Sequence, residues 1–288
     1  AWLRSCGIPA ATGHDPAHLD GIAWAIFSPA LQPGHPERVA AEKMGISLYR
    51  RGQVLPVLAE SWKTVAVSGT HGKTTTSSMI AHVLRVCGAD PSWCIGGELP
   101  PDGAPAGIGK SDWLAIEADE SDGTLAHYAP EIAVVTNVEF DHMEHFASKA
   151  ALIDCFRAFA RQAKAVVFCA DDPEAARVGA AANGVSYGFA AKADFRAEIL
   201  EVGPAGTRFE VRAPGGRKAA VSLPLPGRHN VLNALGALAA CGRCGIALDA
   251  AGVALGSFAL PKRRFESVAQ AQGIRIIADY AHHPSEIR

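Results

Sequence analysis

The residues most able to do chemistry lie in one short run, Gly69-Thr70-His71-Gly72-Lys73-Thr74-Thr75-Thr76, between an apolar β-branched segment and a stretch that reads as a helix. Glycines let backbone N–H groups converge on phosphate oxygens, and a helix N-terminus adds partial positive charge. Lys73 can supply a cation to the β- and γ-phosphates of a nucleotide, and the Thr74 hydroxyl can ligate Mg²⁺. The general phosphate-loop pattern expects a glycine six residues before the lysine, where this chain has Val67. Two acidic runs add to this. Glu117-Ala118-Asp119-Glu120-Ser121-Asp122 follows the apolar segment Trp113 to Ile116. A carboxylate at the end of a neighbouring strand is where a phosphate-loop enzyme holds its metal, which singles out Glu117. The other reading is a solvated acidic loop. Thr136-Asn137-Val138-Glu139-Phe140-Asp141-His142-Met143-Glu144-His145 also lies just past a strand, where His142 as neutral imidazole suits a second ion.

Two further groups of polar residues carry no function by periodicity alone. Gly227-Arg228-His229-Asn230-Val231-Leu232-Asn233 opens a helix, and Asn230 could be only its N-cap. Arg263-Arg264-Phe265 and Asp279-Tyr280-Ala281-His282-His283-Pro284 flank the last strand of the chain.

The elements that must position these groups alternate. Thr64–Ser68, Trp113–Ile116, Ile132–Thr136 and Ala165–Cys169 read as buried strands, with helices at Ser77–Val86 and Lys149–Gln162. That alternation predicts an α/β fold with a mostly parallel sheet covered on both faces. Phe195 to Val221 changes to alternating segments with turn residues, a small antiparallel addition. Ile22–Phe27 and Ile46–Tyr49, with the loop Ser28 to Gly34 between them, read as part of a Rossmann-like N-terminal domain.

Of 288 residues, 49% are hydrophobic and 19% charged, enough apolar material for two domains. A net charge of -2 with no long run of one sign excludes nucleic acid and anionic membrane as obvious partners. The most apolar stretch, Val231 to Leu248, is interrupted by Asn233, Arg243 and glycines, so it reads as a buried helix. Seven scattered cysteines fit a reducing cytoplasm, and Cys241-Gly-Arg-Cys244 sits in a helical context that disfavours a redox role.

In this order, the glycine loop, Glu-Ala-Asp-Glu-Ser-Asp, Thr-Asn-(x)3-Asp-His-Met, Gly-Arg-His-Asn-(x)2-Asn, Arg-Arg-Phe and Asp-Tyr-(x)-His-His-Pro resemble the Mur ligase family. Within it they resemble the ligases that join L-alanine to UDP-N-acetylmuramate. His71 separates this branch and the tripeptide-recycling ligases from later Mur ligases, which look like Gly-Thr-Asn-Gly-Lys. Ser121-Asp122-Gly123 favours the alanine branch, because the recycling ligases are similar to Glu-Tyr-Asp-Thr there.

The resemblance implies ATP and Mg²⁺ as cofactors and UDP-N-acetylmuramate and L-alanine as small-molecule substrates. It implies that Gly69, Thr70, His71, Gly72, Lys73, Thr74 and Thr75 hold phosphate, with Asn230, Asn233, Arg264 and Asp279 on the nucleotide. Metal ligands would be Thr74, Glu117 and His142; Lys73, His142 and Arg264 would serve catalysis. Ser28 and His71 match positions near the UDP-sugar. Residues 1–60 would be part of a UDP-sugar domain, 61–262 an ATP-binding domain, and 263–288 the linker and start of a C-terminal ligase domain. A glycine loop upstream of Ala1 and most of a third domain beyond Arg288 are expected from the resemblance. The alternatives are a tripeptide-recycling ligase and a nucleotide-binding module without turnover.

Overall fold

The computed structural model describes residues 2–28, 30–101, 103–140, 145–262, 264, 266–281 and 283–287. His142, Asp141, Arg263, Phe265 and His282 lie outside the described residues. The chain divides into two compact units, Ala1–Leu58 and Ala59–Arg288.

The first unit contains α1 (Trp2–Ser5), β1 (Trp24–Phe27), α2 (Pro36–Lys43), β2 (Ser47–Arg50) and most of α3 (Arg51–Ala59). β1 and β2 pair in parallel, Trp24 opposite Ser47 through Phe27 opposite Arg50. α2 begins at Pro36, whose fixed φ and missing N–H suit a first helical position.

The second unit is built on β3 (Lys63–Ser68), β4 (Ser92–Leu99), β5 (Ala104–Gly107), β6 (Trp113–Glu117) and β7 (Ile132–Val135), continued by β8 (Ala165–Cys169), β9 (Val185–Gly188), β10 (Phe195–Gly203), β11 (Gly206–Ala213) and β12 (Arg217–Leu223). They form one ten-stranded sheet in the order β12-β11-β10-β9-β8-β7-β3-β6-β4-β5. β3 pairs in parallel with β6 on one side and β7 on the other. The chain therefore leaves β3 towards one edge and returns to the opposite side, which makes the C-terminal end of β3 a topological switch point.

Sequence explains the layers. All four residues of β7, Ile-Ala-Val-Val, are buried, as a strand covered on both faces requires. In β11 and β12 burial alternates, so Phe209, Val211, Val221 and Leu223 face the core while their neighbours face solvent. The antiparallel addition is continuous with the main sheet rather than separate from it, joined where β10 pairs in parallel with β9 at Phe195–Tyr187.

Of the helices α4 (Lys73–Val86), α5 (Lys149–Gln162), α6 (Pro173–Ala181), α7 (Arg228–Arg243) and α8 (Leu248–Leu255), α4 is the most enclosed, packed on β3, β4 and β6 beneath α7 and α8. It starts at Lys73, four residues before the expected Ser77. A Thr-Thr-Thr-Ser-Ser run has weak helix propensity because hydroxyls compete with the backbone. Here three of those hydroxyls have their own partners: Thr74 donates to Glu117 Oε2 at 2.9 Å, Ser77 to Lys73 O at 2.8 Å and Thr76 to Asn233 Oδ1 at 3.3 Å. The apolar face of Met79, Ile80, Val83 and Leu84 is buried. Each such side chain contributes roughly 1.5–3 kcal/mol. The chain ends in a hairpin, β13 (Glu266–Ala271) with β14 (Ile274–Ala278), and the short α9 (Pro284–Ile287). Among the described residues no helix is long and apolar enough to cross a membrane.

Candidate functional site

The loop Gly69–Gly72 turns directly from β3 into α4. Gly72 has φ of +80° and is the helix N-cap, and a Cβ there would lie 2.5 Å from Asn233 Oδ1. At Gly69, with φ of +139°, a Cβ would lie 2.1 Å from Thr136 Oγ1. Only glycine satisfies both positions. Neighbouring strand ends hold the rest of the loop. Asn137 Oδ1 accepts from His71 N at 2.8 Å, and its Nδ2 donates to His71 O at 2.9 Å. Thr136 Oγ1 donates to the same carbonyl at 2.6 Å, and Thr70 N donates to Asn137 O at 3.1 Å. The first intrahelical bond of α4 runs from Thr76 N to Gly72 O. Helix geometry leaves the N–H groups of Lys73, Thr74 and Thr75 without intrahelical acceptors, a ready-made anion site.

Lys73 curls back over the loop. Its Nζ donates to Gly69 O at 2.7 Å, to Thr70 O at 3.3 Å and to Glu120 Oε1 at 3.0 Å. Burial alone would depress this ammonium, but the charges of Glu120, Asp119 and Glu117 outweigh burial and hold its pKa above the ordinary lysine value. Lys73 therefore stays cationic. Glu120 is 1% exposed, and burial pushes its carboxyl up against the pull of Lys73.

Thr74, Glu117 and Arg264 form the second cluster. Thr74 Oγ1 donates to Glu117 Oε2 at 2.9 Å and accepts from Arg264 Nη2 at 3.2 Å. Gly96 N, on β4, also donates to Glu117 Oε2, at 3.0 Å. Glu117 is the last residue of β6, paired with Val67, rather than the first residue beyond the strand. Its carboxylate and the Thr74 hydroxyl are hard oxygen donors, which suit Mg²⁺. Arg264 also lies over the Tyr280 ring, 5.3 Å from its centroid.

The first turns of α7 come to the same loop. Asn233 abuts Gly72, and Asn230 is buried with its Nδ2 donating to Pro226 O at 2.8 Å. The cap of α7 is Gly227, so Asn230 is not the N-cap. Asp279, at the end of β14, is exposed and makes a local turn with Ala281 N at 2.7 Å. Its charge reaches His229, where burial lowers the imidazole pKa and Asp279 partly opposes that.

His71 Nε2 lies 3.4 Å from Glu139 Oε2, and His283 Nδ1 lies 3.7 Å from the same oxygen. The two rings are 4.7 Å apart, and a ligating atom from each of the three residues falls within 4.8 Å of the others. Ser28 belongs to the first unit, exposed in a turn in which Ala30 N donates to its Oγ at 3.3 Å.

Sequence reasoning missed four contributors. Glu120 is the partner of Lys73, Glu139 joins His71, and Thr136 with Asn137 clamps the loop. The signal for the last was present as a Thr-Asn pair immediately after a strand.

Residues 67–241 match the Mur ligase middle domain, and residues 2–63 match the Mur ligase family, catalytic domain. The UDP-N-acetylmuramate–L-alanine ligase of Gloeobacter violaceus is 41% identical over 288 residues, covering 99% of this chain and 62% of the relative. The crystal structure of the UDP-N-acetylmuramate-alanine ligase MurC from Thermotoga maritima matches with a TM-score of 0.87 at 30% identity, over 99% of this chain and 66% of that one. A murein peptide ligase from Psychrobacter arcticus matches with a TM-score of 0.81 at 26% identity, over 99% and 66%. The chain spans less than two thirds of the length of these relatives.

Proposed function

Because this chain belongs to the Mur ligase family, we propose that it carries the nucleotide-binding core of an ATP-dependent ligase joining L-alanine to the carboxylate of UDP-N-acetylmuramate. That reaction serves peptidoglycan precursor synthesis in the cytoplasm. The supporting observation is the convergence of Lys73, Thr74, Glu117 and Arg264 at the N-terminus of α4. In this reading residues 61–262 bind ATP, residues 1–60 belong to a UDP-sugar domain, and 263–288 open a third domain.

The N–H groups at the start of α4 hold the phosphates, and Lys73 exchanges its contacts with the loop carbonyls for phosphate oxygens. Asn230, Asn233 and Asp279 contact the rest of the nucleotide. Thr74 and Glu117 are the described residues that would hold Mg²⁺, which when bound neutralises charge on the β- and γ-phosphate oxygens. The muramyl carboxylate attacks the γ-phosphorus and ADP leaves, giving an acyl phosphate. The amine of L-alanine then attacks the acyl carbon and inorganic phosphate departs. Lys73 and Arg264 stabilise the charge on the transferred group, so the protein contributes mainly position and electrostatics.

Amide formation from UDP-N-acetylmuramate is the test, with free L-alanine or the tripeptide as acceptor and a parallel MgATP titration. Greater similarity to the structure of an L-alanine ligase (TM-score 0.87, 30% identity) than to that of a murein peptide ligase (0.81, 26%) favours the amino acid. Turnover with the tripeptide alone would move the assignment to the recycling branch. MgATP binding without turnover on either acceptor would favour a nucleotide-binding module, and no MgATP binding would refute the site.

A further inference from the structure

The first compact unit carries a group of ligating side chains that the ligase reading does not use. A 3₁₀ turn, Pro16–Leu19, is capped by Asp15 and faces the start of α2. His14, just before the cap, His18 from the turn and Glu37 from α2 meet there. His18 Nδ1 lies 2.7 Å from Glu37 Oε1, and His14 Nδ1 lies 3.4 Å from Glu37 Oε2. Asp15 N donates to Glu37 Oε1 at 3.3 Å. His35, the residue before Pro36, sets its ring edge-on to that of His14 with centroids 4.3 Å apart. Ligating atoms of His14, His35 and Glu37 all lie within 4.8 Å of one another.

A second observation points the same way. Both ring nitrogens of His35 are buried and neither has a hydrogen-bond partner. His35 occupies the N-cap position of α2, yet its ring makes no capping bond. Imidazole nitrogens are a donor and an acceptor, and buried groups of this kind are nearly always satisfied. A ring that neither caps its helix nor bonds to protein, set beside another imidazole and a carboxylate, has the surroundings of a metal ligand.

We propose that His14, His35 and Glu37 bind one divalent transition-metal ion of the Zn²⁺ class, with His18 orienting the carboxylate. Two imidazoles and one carboxylate, with a fourth position for water, are a known zinc donor set. Zinc-to-ligand bonds of about 2.0–2.1 Å place tetrahedral donors roughly 3.3 Å apart, close to the separation of His14 and Glu37. Mg²⁺ and Ca²⁺ are disfavoured by a set dominated by nitrogen. His14, whose side chain is 61% exposed, gives the ion an entry path. Bound metal would fasten the 3₁₀ turn to α2.

The test is titration of the 288-residue chain with Zn²⁺ against a chromophoric chelator, repeated with Co²⁺ to read coordination from its visible spectrum. A Cys6→Ser, His71→Ala background removes the exposed thiol and the second His–Glu cluster as competing sites. One equivalent should bind, with a tetrahedral Co²⁺ spectrum and a raised melting temperature. His14→Gln and His35→Ala should each weaken affinity at least tenfold, since even outer partners of a metal site are worth about 10–100-fold. His14→Gln alters an exposed side chain, so its circular dichroism in EDTA should match the parent and separates lost ligation from lost folding. Failure to bind one equivalent, or unchanged affinity in both variants, overturns the proposal.

Discussion

Replacing Lys73 by Met would leave an aliphatic stem of similar length and remove only the charge. Sequence alone treats Lys73 as a phosphate ligand; the structure gives it a second task. Its ammonium sits 3.0 Å from the carboxylate of Glu120, and the two side chains are 13% and 1% exposed. Breaking a buried pair from one side strands the other charge, which typically costs about 3–5 kcal/mol. Lys73→Met should therefore lower the unfolding free energy of the second unit by roughly that amount even without nucleotide. Glu120→Gln should cost less, about 1–3 kcal/mol, because the ammonium keeps the carbonyls of Gly69 and Thr70. The double variant has no stranded charge, so its cost should fall below the sum of the singles by at least about 2 kcal/mol. Urea unfolding of the four chains, with slopes compared to check the transition, measures this coupling. Costs that add to within about 0.5 kcal/mol would show that the pair does not hold the loop, and the reasoning from burial would fail. If the coupling is found, reduced MgATP binding by Lys73 variants mixes lost contact with lost loop structure.

Arg264→Ala is the cleaner probe of the nucleotide site: MgATP affinity should drop by about one to two orders of magnitude, read by calorimetry, with the melting temperature nearly unchanged, as expected for losing charge-assisted bonds worth about 1.5–3 kcal/mol. Gly72→Ala should destabilise by about 1–3 kcal/mol in urea unfolding, because it forces an alanine into left-handed backbone and drives its Cβ onto Asn233; a neutral result would mean that the loop opens freely. Burial, chiefly, lowers the pKa of His82, whose Nε2 lies 2.9 Å from Ala254 O. Its neutral form is thus favoured by folding, and the stability it contributes above its unfolded pKa of about 6.5 is lost as pH falls through the depressed folded value. His82→Gln should flatten that acid limb of the stability curve, and an unchanged slope would assign the limb to other groups. Burial pushes Cys155 and Cys169 up to about 11, Cys244 up to about 12 and Cys241 well above the ordinary thiol value, so a thiol reagent at pH 8 should label exposed Cys6 first and these four only on unfolding; early labelling of the Cys241–Cys244 pair would restore a redox reading.

Much of the α/β plan could be read from the chain because the central strands are short, apolar and β-branched. β8 and α5 fall where periodicity puts them. The start of α4 did not, because its Thr-Ser run has weak helix propensity, which is offset where Glu117, Asn233 and the helix's own carbonyls take up the hydroxyls of Thr74, Thr76 and Ser77. Strands β4 and β5 were missed as well: Ser92–Leu99 contains two glycines, and Ala104–Gly107 contains a proline, so neither has the composition of a strand. β4 is ordered by pairing with β6, and β5 by pairing with β4. The glycine loop and Glu117 were visible as motifs, whereas the Lys73–Glu120 pair links residues 47 apart and depends on how deeply each is buried.

Val67, where the general phosphate-loop pattern has glycine, follows from the same pairing. It is fully buried within β3 and lies opposite Glu117 on β6, while Ser68 pairs with Val135 on β7. A glycine at 67 would weaken the strand that sets those registers. The chain instead keeps β3 regular to Ser68 and turns in the four residues Gly69 to Gly72. So short a loop has few internal bonds to fix it, and the side chains of Thr136 and Asn137 supply the restraint from the end of β7. Strand register thereby fixes three things together: the amide groups at the head of α4, the carboxylate at the end of β6 and the clamp at the end of β7. Catalysis by positioning needs that kind of rigid common frame, and here a valine in the strand maintains it as much as the glycines in the turn.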